Sequence, residues 1–235
     1  MRPTVPTLLS FNRGYVDSIG YLSLQGLFTA HVTGNFVTIG AALVFGTSGV
    51  VAKLLALPVF CIVIIVTRLV SFNLPARWPI LETILALKLL LLLVAAVLAI
   101  AMGPFATGDG APAIIVGMTL VSAMAMQNAV HRIHLGAAPP TTLMTGTTTQ
   151  IMIDIADMIR GVPEVARDAI RSRLRRMCVA VASFAAGAAA GALLFNAIGR
   201  WCFALPPIVA LLTRITAKSS LAAPTGTSGP HSATT

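Results

Sequence analysis

The stretch GYVDSIGYLSLQGLFTAHVTGNFVTIGAAL, residues 14–43, decides the fold. It reads as a membrane helix carrying an acid, Asp17, at a position where an acid is expensive. It stops at His31-Val32-Thr33-Gly34-Asn35 and resumes as a second apolar helical run. A weaker copy, AMAMQNAVHRIHLGAAPPTTLMTGTTTQIMIDIADMI, occupies residues 123–159. A register of 112 residues lays Thr145-Gly146 over Thr33-Gly34, and one gap brings Asn128 over Asp17.

The surrounding composition fixes the solvent. Of 235 residues, 57% are hydrophobic and only 10% charged, and mean hydropathy is +0.90. Soluble domains carry about 25% charged residues, so this chain has too few to cover a water-facing surface and reads as an all-α, polytopic integral membrane protein. The net charge of +9 is concentrated at Arg160–Arg176, between apolar segments, where basic loops set topology. That placement, with few aromatic residues, argues against nucleic acid as a partner. Cys61, Cys178 and Cys202 lie singly in apolar surroundings and read as small buried hydrophobes. The first residues lack the apolar core and small-residue cleavage site of a signal peptide.

Runs long enough to cross a hydrocarbon core begin near Gly14, at Leu54–Val70, Ile80–Met102, Ala113, Met177–Ile198 and Trp201–Ile215. The expected architecture is therefore about six transmembrane helices in two three-span repeats. An odd number of spans forces the two copies into opposite orientations, the inverted-repeat plan of many secondary transporters. Residues 1–13 are expected as a cytoplasmic N-terminus, 14–102 as the first repeat, and 103–112 as an external loop. Residues 113–217 form the second repeat, with a basic cytoplasmic loop at 160–176, and 218–235 a disordered tail. The first helix of each repeat is broken at its Thr-Gly motif, either crossing once or turning back. With both termini cytoplasmic, Arg2, Arg13, Arg68, Arg77, the Arg160–Arg176 group, Arg214 and Lys218 all fall inside, while Lys53, Asp109 and Arg200 fall outside.

The polar residues of the two broken elements are the candidate site. Asp17, Tyr21 and Gln25 are spaced i, i+4, i+8 along one helix side. Thr33, Gly34 and Asn35, with Thr145, Gly146 and Thr147, supply irregular backbone and capping groups; a helix N-terminus at mid-membrane offers unsatisfied N–H donors to a ligand. Gln127 and Asn128 form the matching patch of the second repeat, beside His131 and Arg132 at a membrane exit. Asp17 and His31 are the proton-coupling candidates. The structural alternatives are an interfacial Asp17–Arg13 pair and Thr-Gly breaks that only let helices pack closely. Asp154, Asp157 and Gln150 share a helix face and read as an interfacial end beside Arg160.

Residues Pro163–Met177 read as a short basic amphipathic helix on anionic lipid at the cytoplasmic leaflet. The run GAAAG at 187–191 supplies small residues for close packing within the chain, and less directly for a homo-oligomer. There is no Gly-x-Ser-x-Gly, HExxH or P-loop, and no Cys or His cluster with metal-ligand spacing. The expectation is a protein that is not an enzyme, with no cofactor and no metal.

The pattern Gly14-Tyr15-Val16-Asp17-Ser18-Ile19-Gly20-Tyr21-Leu22, with Gly26-Leu27-Phe28 and Val32-Thr33-Gly34-Asn35, resembles the YoaK family of bacterial inner-membrane proteins. Met126-Gln127-Asn128-Ala129, Thr141-Thr142 and Thr145-Gly146-Thr147 extend the resemblance, which covers roughly Phe11 to Ile215. It implies a multi-pass protein of the bacterial cytoplasmic membrane and a domain of unknown function. The functional expectation is a secondary transporter or permease for an unknown small polar or anionic metabolite. A non-transporting scaffold or lipid-interacting protein is the second reading, and an intramembrane enzyme a remote third.

Overall fold

The fold was analysed in a computed structural model, which describes residues 4–73, 75, 79–135 and 144–222, the side chains of 220–222 excepted. Arg2, Leu74, Arg77, Trp78, Thr141, Thr142 and the tail from 223 onward, all part of the sequence reading, lie outside the described residues. Among the described residues every regular element is helical: α1 (Val5–Ser23), α2 (Asn35–Phe45), α3 (Val50–Asn73), α4 (Ile80–Met102), α5 (Ala111–His134), α6 (Met144–Arg160), α7 (Glu164–Ile198) and α8 (Leu205–Ala222). Four described stretches are long and apolar enough to cross a membrane: α3, α4, α5, and Glu164–Ser219, which contains α7 and α8. Leu, Ile, Val and Phe side chains stand exposed along α2, α3, α4 and α8, the surface a bilayer covers. The interior belongs to α1 and α5, whose Tyr15, Val16, Ile19, Val116, Leu120 and Met124 are buried in one cluster.

The first helix starts earlier than expected. Thr4 precedes it and Pro6 sits in its first turn, where a fixed φ and a missing N–H cost nothing. Residues 5–13 are thus helix continuous with the first span, and Arg13 is buried inside the bundle. The helix ends at Ser23 because Gln25 (φ 54°) and Gly26 (φ 82°) both adopt left-handed backbone, and the Gly26 N–H closes on the Tyr21 carbonyl at 2.9 Å. Gln25 therefore leaves the helical stripe of Asp17 and Tyr21 and sits exposed at the turn, which corrects its placement by periodicity.

After this turn the chain doubles back along α1. Thr29 and Ala30 reach the level of Asp17 and donate backbone N–H bonds to it at 2.9 and 2.7 Å. A single 3-10 turn, Val32–Gly34, redirects the chain into α2, and Gly49 returns beside Gln25. Residues 24–49 are a re-entrant arm that leaves and rejoins one end of the molecule. The break is at Gln25-Gly26 and His31, and Thr33-Gly34 forms the tip from which α2 departs.

α6 starts beside the same cluster: Thr145 and Gly146, both exposed, line a cavity with Arg13 and Asn128. It ends elsewhere. Asp154 on α6 accepts bonds from Arg173 on α7 at 2.6 and 2.9 Å. Arg173 lies about 16 Å along α7 from Phe184, whose carbonyl faces Gly14. Because α7 runs parallel to α1 (Gly187 faces Phe11, Gly191 faces Tyr15), α6 heads toward the N-terminal end of α1 while α2 heads toward its C-terminal end. The partner of Asp154 is thus Arg173 rather than Arg160.

Two other boundaries shift for local reasons. From Glu164 to Ala186 there is no Gly or Pro, so the basic segment and the following span form one unbroken helix, not a loop at 160–176 or a separate surface helix. The α8 helix continues to Ala222, so 218–222 are helical; Ala111 and Pro112, at the start of α5, are helix rather than loop.

The largest helix contact is α1 against α7, and glycine permits it. A Cβ on Gly14 would run into the Phe184 carbonyl, and one on Gly187 into the Phe11 carbonyl. GAAAG thus serves packing within the chain. At the far end Asp109 caps α3 from another loop: its carboxylate accepts N–H bonds from Gly49 (2.8 Å), Val51 (2.9 Å) and Ala52 (3.2 Å). Burial by itself lifts this carboxyl, but the backbone donors of Gly49, Ala52 and Val51 hold it below its ordinary value.

Two outcomes follow from these contacts. Gly187→Ala forces backbone apart and destabilises the protein by about 1–3 kcal/mol, read as a lower melting temperature in detergent. Asp109→Ala removes the cap and costs about 1–2 kcal/mol near neutral pH. Because the folded carboxyl is the more acidic, its contribution is complete above the ordinary carboxylate pKa of about 4 and fades as pH falls through the lowered value. The melting gap between Asp109→Ala and the native protein therefore narrows on acidification.

Candidate functional site

The re-entrant arm is held by one carboxylate. Asp17, 4% exposed, accepts the Thr29 and Ala30 N–H bonds through Oδ1, with the Thr29 hydroxyl at 3.4 Å, while Oδ2 pairs with Nδ1 of His31. An unwound backbone inside a membrane protein must have its polar groups satisfied by protein, and Asp17 meets that need for the segment entering the tip. Arg13, one helical turn earlier, donates to the Ala30 carbonyl at 2.7 Å and to Asn128 Oδ1 at 3.2 Å. Asp17 and Asn128, which the sequence register lays over each other, thus meet around a single arginine. Asp17 is neither a free intramembrane acid nor an interfacial partner of Arg13.

Asn35 closes the arm on itself. Its side chain accepts the Phe28 N–H and donates to the Phe28 carbonyl, both at 2.8 Å, and it is 1% exposed. It imitates the edge of a backbone strand, with both polar atoms of its amide engaged by the arm. Gln127 is similarly engaged, accepting Lys88 Nζ at 2.5 Å and donating to the Leu9 carbonyl at 2.8 Å.

What the structure brings together is a cavity of about 540 Å³ between the two tips. Thr33 enters from the first arm, Thr145 and Gly146 from the first turn of α6, Asn128 and Arg132 from α5, Arg13 from α1 and Arg68 from α3. Asp17, Tyr21 and Gly34 instead line a second cavity of about 580 Å³ beside Phe184 and Ala188, whose walls are mainly apolar. His31 borders both, with about a third of its side chain exposed. Thr147 is buried on α6 behind Thr145 and Gly146. Of the expected residues, then, Thr33, Thr145, Gly146, Asn128 and His31 share one cavity, while Asn35, Gln25, Gln127 and Thr147 do not line it. Among the described residues no group of His, Cys, Asp or Glu is arranged to hold a metal ion.

Residues 5–216 match the family described as Protein of unknown function (DUF1275). The chain belongs to that family. It is 35% identical over 160 residues to UPF0700 transmembrane protein YoaK of Bacillus subtilis (strain 168), covering 66% of this chain and 68% of the relative. No solved structure matches it. The resemblance read from Gly14–Leu22 and the two Thr-Gly motifs is therefore correct, and the protein is a helical membrane protein of a family whose function is unknown.

Three basic residues that line the cavity, Arg13, Arg68 and Arg132, stand outside the candidate set of the sequence, and so does Lys88, which bonds Gln127 away from it. Lys88 interrupts the apolar run of α4 and is 1% exposed; the rule that singles out Asp17, an ionisable group inside a span, applies equally to it. Arg13 and Arg68 were assigned to topology, and only the return of the chain after Gln25 brings them to the tip.

Removing the anchor tests this arrangement. Asp17→Ala leaves the Thr29 and Ala30 N–H groups and His31 without their acceptor. At about 1–3 kcal/mol for each buried unsatisfied group, it abolishes monodisperse protein on size exclusion in detergent. Asp17→Asn keeps one acceptor oxygen and yields folded protein with a lowered melting temperature.

Proposed function

We propose that the protein is a small-solute permease, a secondary transporter or channel-like carrier, in which the solute binds between the tips of the two re-entrant arms. The observation that carries this reading is the meeting of Thr33 with Thr145 and Gly146 in one cavity, where Arg13, Arg68, Asn128 and Arg132 stand among largely apolar walls. A structural crossing would fill that space with side chains. Irregular backbone facing a cavity at the junction of repeats is how membrane carriers bind solutes.

The proposed membrane arrangement has six spans, α1, α3, α4, α5, α7 and α8, with the arms ending in α2 and α6 entering from opposite faces. Exchange of packing partners supports an inverted repeat: α1 packs on α7 and α8 as α5 packs on α3 and α4, and α2 packs on α3 as α6 packs on α7. The basic first half of α7 lies beyond the N-terminal end of α1, so the positive-inside rule puts both termini in the cytoplasm. That is the orientation of a bacterial inner-membrane protein. Exposed Arg167, Arg171 and Arg175, spaced along one side of that helix, are suited to anionic lipid of the same leaflet. His31, paired with Asp17 and bordering both cavities, is the proposed proton carrier, with Asp17 as its fixed partner.

A scaffold reading draws support from Asp17 and Asn35, whose polar atoms serve the arm's own backbone. Uptake separates the two. Purified protein in liposomes, given a mixture of small metabolites under a proton or a sodium gradient, is expected to accumulate or equilibrate at least one of them. His31→Gln is expected to flatten the pH dependence of that flux. No protein-dependent flux under either gradient, or in their absence, overturns the permease and leaves the scaffold.

A further inference from the structure

We infer that the cavity between the arm tips is an anion site and that its ligand carries a carboxylate or comparable oxyanion group; this rests on the cavity reading above and narrows its solute class. The lining charge is one-sided. Arg13, Arg68 and Arg132 reach the cavity from three different helices, and no described lining residue is acidic. The nearest carboxylate, Asp17, is already committed to Thr29, Ala30 and His31.

The two outer arginines differ from the inner one in a way that matters. Arg13 is fixed by Ala30 and Asn128 and is 2% exposed. Arg68 and Arg132 are exposed and form no ion pair among the described residues, although Arg68 lies over the Phe72 ring at 4.1 Å. Two guanidinium groups at the mouth of a concave site raise the local concentration of anions, and each binds a carboxylate through paired N–H bonds. The first turn of α6 presents Thr145 and Gly146, also exposed, to the same space. The first N–H groups of a helix have no partner within it and favour negative charge. Basic side chains and a helix N-terminus thus converge on one cavity of about 540 Å³, room for a small organic acid or an inorganic oxyanion.

A free anion and the phosphate of a lipid headgroup share this chemistry, so the experiment has an arm for each. The full-length protein, purified in a neutral detergent, is titrated with formate, acetate, lactate, succinate, nitrate and inorganic phosphate. The neutral controls are acetamide, glycerol and urea, and binding is read by calorimetry and by melting temperature. One or more anions bind and raise the melting temperature, while the neutral solutes do not. Arg132→Gln and Arg68→Gln, both at exposed positions, melt like the native protein without ligand and bind the anion about tenfold or more weakly, the loss of one charge-assisted contact. Arg132→Lys recovers part of that loss. In a parallel arm, vesicles of anionic or zwitterionic lipid replace the free anions. Protection by anionic lipid alone, unchanged in the arginine variants, overturns the site, and so does binding of a neutral solute that no anion displaces. Arginine-dependent protection by anionic lipid, with the free anions silent, keeps the site and names the headgroup as its ligand. Anion binding without flux in liposomes sustains the site and overturns the permease. Flux of a neutral solute indifferent to anions does the reverse.

Discussion

Everything in the interior is arranged around the Asp17 carboxylate. A charged group removed from water is tolerated only where hydrogen bonds and opposite charge replace its hydration, and here two backbone N–H groups, a hydroxyl and an imidazole do so. The exchange is mutual, because residues 29 and 30 belong to neither α1 nor α2 and have no helical partner for their N–H groups. The acid satisfies the unwound backbone, and the backbone stabilises the acid. Arg13 completes the cluster by donating to the Ala30 carbonyl, so both backbone polar groups of Ala30 are bonded to α1. A re-entrant arm is possible in this chain because one helix carries both an acceptor and a donor, one turn apart, at the depth where the arm turns.

The remaining buried polar contacts extend this anchoring to the other helices. Asn35 ties the outgoing limb of the arm to the incoming one. Lys88 and Gln127 join α4 to α5, and Gln127 continues to the Leu9 carbonyl of α1. Tyr15 donates to the Cys202 carbonyl at 2.8 Å and so fixes the connection between α7 and α8. Apolar contacts give little preference for one partner helix over another inside a bilayer, so such hydrogen bonds and the glycine contacts of α1 with α7 specify the arrangement.

How much of this was legible in the sequence varies with the kind of signal. The membrane class and the spans α3, α4 and α5 follow from apolar length, which depends on composition alone. The turn-back of the first arm does not, because periodicity carries Gln25 onto the same side as Asp17 and Tyr21; its left-handed backbone depends on the packing of the loops around Gly49 and Gly108. Thr33, Thr145 and Gly146 were found because the motif repeats. Asn35 bonds Phe28 instead of lining the cavity: a residue that holds a tip together sits next to the residues that face the cavity, and one sequence offers nothing to distinguish them. Arg13 resembles a topology signal because the apolar run reads as opening at Gly14, and Arg68 because α3 ends at Asn73; only the three-dimensional return of the chain shows otherwise.

The central cluster is charged at one of its two matched positions and neutral at the other. The sequence register lays Asn128 over Asp17, and both lie beside the single guanidinium of Arg13. A second carboxylate at 128 would set two like charges around one cation, which disfavours ionisation of one of them and makes the cavity wall negative. The amide accepts the same hydrogen bond without that charge. Asp17 and Arg13 then nearly cancel, and the potential of the cavity comes from what does not cancel, Arg68, Arg132 and the start of α6.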